Sequence, residues 1–191
     1  LRAAVEAAFV GDQDRQDDLR IQLADFFEAE PITARSCDEL PWLLWQAEVF
    51  TRLRPCLLDI DRFLLIRDRD RDELMRYWVW LKEERTMGQA YLASFASWSV
   101  VPGRKHERVT RAANELALFL NHAALHSGAE PLMRRSLEIA EKSLGPDHPN
   151  VATALNNLAG LLCETNRFNE AEPLFRRALE INEKSCGPDH P

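Results

Sequence analysis

Glycine is scarce, at 7 of 191 residues, and it nowhere gathers into a phosphate-cradling loop. The patterns G-x-x-x-x-G-K-[ST], H-E-x-x-H and G-x-S-x-G are missing, so the chain carries no nucleotide, zinc-protease or hydrolase signature. Serine, histidine and aspartate occur, but nothing local orients them into a triad, and the acidic residues fall largely on polar helix faces. Neither an enzyme nor a cofactor is expected. The four cysteines, Cys37, Cys56, Cys163 and Cys186, form no C-x-x-C pair and no cluster. They read as small buried apolar groups in a reducing compartment, which makes a cytoplasmic protein the expectation. Positive charge is short as well: a net charge of −7 disfavours binding to a phosphate backbone, so no nucleic-acid partner is expected. No apolar run has the length of a membrane span and no signal peptide is visible, so no membrane partner is expected either.

What the chain has instead is helix and repetition. Hydrophobic residues make up 46% and charged residues 29%, a globular balance, and the 10 prolines fall mostly at element ends. Residues 129–149, AEPLMRRSLEIAEKSLGPDHP, recur 42 positions later as AEPLFRRALEINEKSCGPDHP at 171–191. The copies differ only at Met133/Phe175, Ser136/Ala178, Ala140/Asn182 and Leu144/Cys186. A fixed period of this length marks a stacked-repeat architecture. The same offset aligns Val109 with Val151, Asn114 with Asn156 and Gly103 with Gly145, which gives two units, 109–149 and 151–191. Each predicts an antiparallel helix pair: 107–125 with 129–144, then 150–165 with 169–186. In the second unit Leu155, Leu158, Ala159 and Leu162 form one stripe, and Phe168, Ala171, Phe175, Ala178 and Leu179 the other. Pro131 and Pro173 are expected in the first turn of their helices, and Gly145 and Gly187 at the helix ends. His148 and His190, with no second ligand nearby, read as turn or cap residues rather than metal ligands.

Upstream, residues 1–103 read as an aromatic-rich helical segment. A helical stretch 1–10 precedes a break at GDQD (11–14). An amphipathic helix over 15–28 carries Leu19, Leu23, Phe26 and Phe27, and Pro31 ends it. Ser36 is expected to cap the next helix, with Glu39 closing a capping box and Pro41 in its first turn. That helix carries Trp42, Leu43, Trp45, Ala47 and Phe50, and shorter helices follow at 52–58 and 60–66. The alternating run 67–72, RDRDRD, reads as a solvated turn feeding a helix N-terminus rather than a binding tract. Residues 72–84 place Leu74, Tyr77, Trp78 and Leu81 on one stripe, widened by Met75, Val79 and Trp80 as though both sides were covered. Residues 88–100 are expected to pair with it through Tyr91, Leu92, Phe95 and Trp98. All five tryptophans lie between 42 and 98 and read as core rather than as a ligand cage.

The string EKSLGPDHPNVATALNNLAGLL…FNEAEPLFRRALEI resembles the 42-residue tetratricopeptide repeats of kinesin light chains and nephrocystin-like proteins, over roughly 105–191. Ala113, His126 and Ser136 depart from the pattern in the first repeat. The upstream strings LRIQLADFFEA, DELPWLLWQAEVFTRLRPCLLDIDRFL and DELMRYWVWL resemble the helical segment that joins the nucleotide-binding module of nephrocystin-like signalling ATPases to their repeats. The resemblance implies an all-α solenoid and a protein–protein interaction scaffold whose concave face binds a peptide or protein. It puts Thr153, Asn156, Asn157, Gly160, Cys163 and Glu164 on the groove of the second repeat, and Arg111, Asn114, Glu115, Leu118, Asn121 and His122 on that of the first. Asparagine suits such a place because its amide both donates and accepts; the other reading is that Asn156 and Asn157 merely face water. A regulatory helical linker of an upstream signalling ATPase, binding no partner itself, is the alternative function. The chain opens on Leu1 and stops at Pro191 where another helix is expected, so a piece of a longer protein is anticipated. Leu174, Ala178 and Ile181 should then be partly exposed, and self-association through 169–186 is expected.

Overall fold

The computed structural model describes residues 7, 12–70 and 72–186, and those residues form ten helices and no strand. The stretch 1–10 apart from Ala7, the GDQD break at Gly11, Arg71 of the charged run, and the expected roles of Gly187, Pro188 and His190 lie outside them. The chain divides into two compact units, Leu1–Met87 and Gly88–Pro191.

The first unit holds α1 (Gln13–Ala29), α2 (Ala34–Gln46), α3 (Phe50–Leu58), α4 (Ile60–Arg69) and α5 (Glu73–Leu81). Asp12 caps α1 by accepting from the Arg15 N–H at 3.1 Å. Its buried face is Arg20, Ala24 and Phe27; Phe26, expected inside, is 56% exposed. Arg20 is held there by Asp17 at 2.7 Å, so the aliphatic stem packs while the charge is paired. The cap of α2 is Thr33, not Ser36. Thr33 Oγ1 accepts from the Ser36 N–H at 3.1 Å, and Ser36 Oγ accepts from the Thr33 N–H at 2.9 Å. A serine closes this capping box where a glutamate was expected, and Glu39 is buried instead. With the start moved upstream, Pro41 sits in the helix interior. The helix also stops at Gln46: Glu48 takes a left-handed φ of 54°, and Phe50 opens α3 rather than continuing α2.

In the charged run, Arg67 is buried within α4, so the solvated-turn reading fails for it. It holds for Asp70 and Asp72. The Asp70 carboxylate accepts from the Asp72 and Glu73 N–H groups at 2.8 and 3.2 Å, at the head of α5, and pairs with Arg76 at 2.7 Å. On α5, Leu74, Tyr77 and Trp78 are buried as expected, but Val79 and Trp80 are 52% and 51% exposed, so only one side is covered. Among the tryptophans, Trp42 and Trp78 are core. Trp45 is half-buried, edge-on to Tyr77 and to Trp80 at 6.2 and 4.9 Å.

The second unit holds α6 (Met87–Ser99) from its second residue on, α7 (His106–His122), α8 (His126–Leu144), α9 (Pro149–Glu164) and α10 (Phe168–Cys186). α7 pairs with α8 and α9 with α10, joined by turns too short for anything but antiparallel neighbours. The 42-residue period is written in the backbone as well. Ala124 and Asn166 take φ of 57° and 60°, and Gly103 and Gly145 take 82° and 90°. Gly145 ends α8, and His148 caps α9 by accepting from the Asn150 N–H at 3.1 Å, the turn role its spacing suggested. Pro131 and Pro173 lie inside α8 and α10, because both helices begin before the position expected from proline preference. Ser127 and Asn169, four positions earlier, are exposed residues, where water can replace the missing N–H and lower the cost.

Leu155, Leu158, Ala159 and Leu162 are all within 1% of complete burial. On α10, Ala171, Ala178 and Ile181 are buried and Leu174 half-buried; Ala178, Ile181 and Leu174 pack with Leu137, Ala140, Val151, Ala152 and Leu155. The expectation of partial exposure therefore holds for Leu174 and fails for Ala178 and Ile181. The exposed residues are Phe168, Phe175 and Leu179, at 59%, 41% and 59%. The first-repeat departures also have local reasons. Ser136 is buried because its Oγ donates to the Thr110 carbonyl of α7 at 3.3 Å, a bond alanine at 178 has no means to make.

Candidate partner-binding surface on α7 and α9

The residues assigned to a groove lie on α7 and α9, the first helix of each pair. Amphipathic patterning explains the arrangement. Each helix turns its leucines and alanines toward its partners, which leaves the intervening polar positions outside. Thr153, Asn156, Glu164, Arg111 and His122 are exposed; Asn157, Gly160, Cys163, Asn114, Glu115, Leu118 and Asn121 are half-buried.

Two of them meet across the repeats. Asn157 Nδ2 donates to Asn114 Oδ1 at 2.8 Å, from α9 to α7. Asn157 therefore does more than face water, whereas Asn156, the positional equivalent of Asn114, remains exposed. The bond uses one donor of Asn157 and the oxygen of Asn114. An amide offers two N–H donors and an oxygen acceptor, so the pair retains an acceptor on Asn157 and donors on Asn114. That complement is what an extended backbone, with its alternating C=O and N–H, can pair with. Asn121 is placed differently: its Oδ1 lies 2.9 Å from His126 Nδ1, tying the end of α7 to the start of α8. Thr153 Oγ1 donates back to the Pro149 carbonyl at 3.3 Å. Over Gly160 there is open space, with no atom within 4 Å of where a side chain would begin, so bare backbone borders the asparagines.

A charged clasp that sequence reading did not single out joins the two repeats. Arg167, in the α9–α10 turn, donates to Glu130 of α8 and to Glu170, both at 2.7 Å, while Arg134 donates to Glu130 at 2.7 Å. Burial pushes the Glu130 carboxyl up, but the guanidiniums of Arg167 and Arg134 outweigh it and hold it below the usual carboxylate range. Glu170 is held low by Arg167 as well. The signal was present as opposite charges 37 positions apart, a separation that means nothing until the helices are stacked.

Among the described residues no cluster of histidine, cysteine, aspartate or glutamate could hold a metal ion, and no helix is long and apolar enough to cross a membrane. Residues 20–191 match the family described as the nephrocystin-3 TPR domain. Nephrocystin-3 of Mus musculus is 34% identical over 119 residues, covering 61% of this chain and 9% of that protein. The Homo sapiens protein is 37% identical over 120 residues, with the same two shares, 61% and 9%. That of Xenopus tropicalis is 34% identical over 146 residues, 72% of this chain and 11% of its own length. The chain thus spans about a tenth of the curated relatives it matches. Among solved structures, BtubC (BKLC) from P. vanneervenii superposes with a TM-score of 0.48 at 15% identity, covering 92% of this chain and 59% of that one.

Proposed function

The chain belongs to the nephrocystin-3 TPR domain family, and on that premise we propose that it is a protein–protein interaction scaffold holding an extended peptide of a partner along the surface shared by α7 and α9. The observation that carries this reading is the Asn157–Asn114 bond at 2.8 Å. It fixes two amides in one orientation across the repeats, so their remaining donors and acceptor are ready for a peptide backbone, and an ordered site binds at lower entropic cost. Thr153, Asn156, Gly160, Glu164, Arg111, Asn121 and His122 lie on the same two helices and would discriminate among side chains. The same reading makes the chain one module of a longer cytoplasmic protein, in which 1–103 leads into the repeats 109–149 and 151–191.

An arrayed peptide library probed with the full chain tests the proposal. Peptides that bind should lose about tenfold or more in affinity when Asn114, Asn156 and Asn157 are all replaced by alanine, with the helical circular dichroism unchanged. Undiminished binding by the triple variant would sink the reading.

A further inference from the structure

The turn between α6 and α7 is built unlike its counterpart one period on. Val100 and Val101 stand where the α8–α9 turn has Lys142 and Ser143, and Arg104, Lys105 and Arg108 stand where it has Pro146, Asp147 and Asn150. The backbone does not demand the change, because Gly103 and Gly145 hold the two turns at similar positive φ, 82° and 90°. Pro102 pushes the residue before it out of the helical region, so α6 stops at Ser99 and leaves both valines in the turn, 74% and 46% exposed. The Arg104 guanidinium lies 3.7 Å over the Trp98 ring, and its backbone N–H donates to the Val101 carbonyl at 3.3 Å, which holds the turn in one shape. The basic residues work against α7. They crowd the positive end of its dipole, and Lys105, at the N-cap, makes no side-chain capping bond, whereas His148 caps α9. Glu107 is the only carboxylate in 100–108. In the counterpart turn the charges close on themselves, Glu141 on Arg177 at 2.5 Å and Asp147 on Lys184 at 3.4 Å.

We propose that this turn docks on an anionic phospholipid surface, with Val100 and Val101 entering the headgroup boundary and Lys105 and Arg108 meeting lipid phosphates. Stacked layers cover the sides of helices, not their ends, so no further helix pair is called on to bury it. A protruding pair of valines suits a fluid surface, which needs no matching cavity. Two valines alone hold a bilayer weakly, and the basic residues supply the second attraction that reversible anchoring requires. The chain's net charge of −7 does not oppose this. At physiological salt, exposed charges more than about 8 Å apart are largely screened, so the residues of the turn govern the approach.

Co-sedimentation of the full chain with vesicles tests it. The chain should pellet with vesicles of equal parts phosphatidylcholine and phosphatidylserine, less so as salt rises, and should stay in solution with phosphatidylcholine alone. Val100→Ser with Val101→Ser, and separately Lys105→Glu with Arg108→Glu, should each weaken binding about tenfold or more. All four side chains are exposed, so both double variants keep their fold, which circular dichroism checks. The Asn114/Asn156/Asn157 alanine variant should bind the vesicles normally, which separates failure here from failure of the α7–α9 reading. No pelleting with the anionic vesicles, or pelleting indifferent to both double variants, overturns the proposal. So does binding that the charge reversal abolishes and the valine variant leaves intact, because the turn would then hold a soluble acidic partner by charge alone.

Discussion

At Gly128 a single hydrogen sets how closely two helices can cross. A side-chain carbon there would stand 3.0 Å from Gly88 Cα and 3.1 Å from Leu120 Cδ1. The nearest atom belongs to the backbone of α6, which has no rotamer to change. Gly128→Ala should therefore cost about 1–3 kcal/mol through overpacking, against the fraction of a kcal/mol that alanine normally returns in a helix. Gly160→Ala is the control. Nothing lies within 4 Å of its added carbon, so it should stabilise by about 0.5–1 kcal/mol. Urea unfolding of the two variants decides the matter, and equal midpoints would show that α6 and α8 do not depend on the crossing. Sequence alone gave no hint of this, because the crossing partner lies far away in the chain and a glycine near a turn has a simpler explanation. Asn157 shows the opposite case. Its place on the first helix of the repeat came with the resemblance to tetratricopeptide repeats, and its partner, Asn114, needed the fold.

Between elements, the clasp of Arg167 with Glu130 and Glu170 makes the contact between repeats sensitive to acid. A carboxyl held below its ordinary value of 4.5 stays ionised, and stabilises the folded state, above that value. The contribution disappears as pH falls below 4.5 through the lowered folded-state value, because the unfolded chain takes up the proton first. Stability of the second unit should drop over that window, and Arg167→Ala should flatten the drop. Urea midpoints at about pH 6 and about pH 3 give the comparison, and an unchanged difference between the two would refute it. Element faces were largely legible in the sequence, since leucines and alanines at helical spacing have to find one another. Element ends were less so. Thr33 and Ser36 both suit a cap, and only the helix start decides which one is the cap. Pro131 and Pro173 were misplaced because proline preference for a first turn is a tendency, overridden where Gly128, Ala129 and Ala171 pack before the proline. Trp80 and Val79 were misjudged for a third reason: an apolar stripe says which residues prefer cover, not whether an element exists to supply it.

For the second unit as a whole, stacking predicts a gradient of stability. In a repeat array each layer is held by its neighbours, so a layer covered on one side opens at lower free energy than one covered on both. α8 is packed between α7 and α9, and its Met133, Ile139 and Ala140 are buried. α10 has α9 on one side, while Phe168, Phe175 and Leu179 remain in water on the other. Amide hydrogen exchange should therefore be slowest in α8 and α9 and fastest, among the paired helices, in α10. The difference ought to follow the missing cover rather than helix propensity, because α8 and α10 share most of their residues through the duplicated stretch 129–149 and 171–191. Over the shared residues of the duplicated stretch, equal exchange would mean local sequence governs opening, and faster exchange in α10 would mean stacking does.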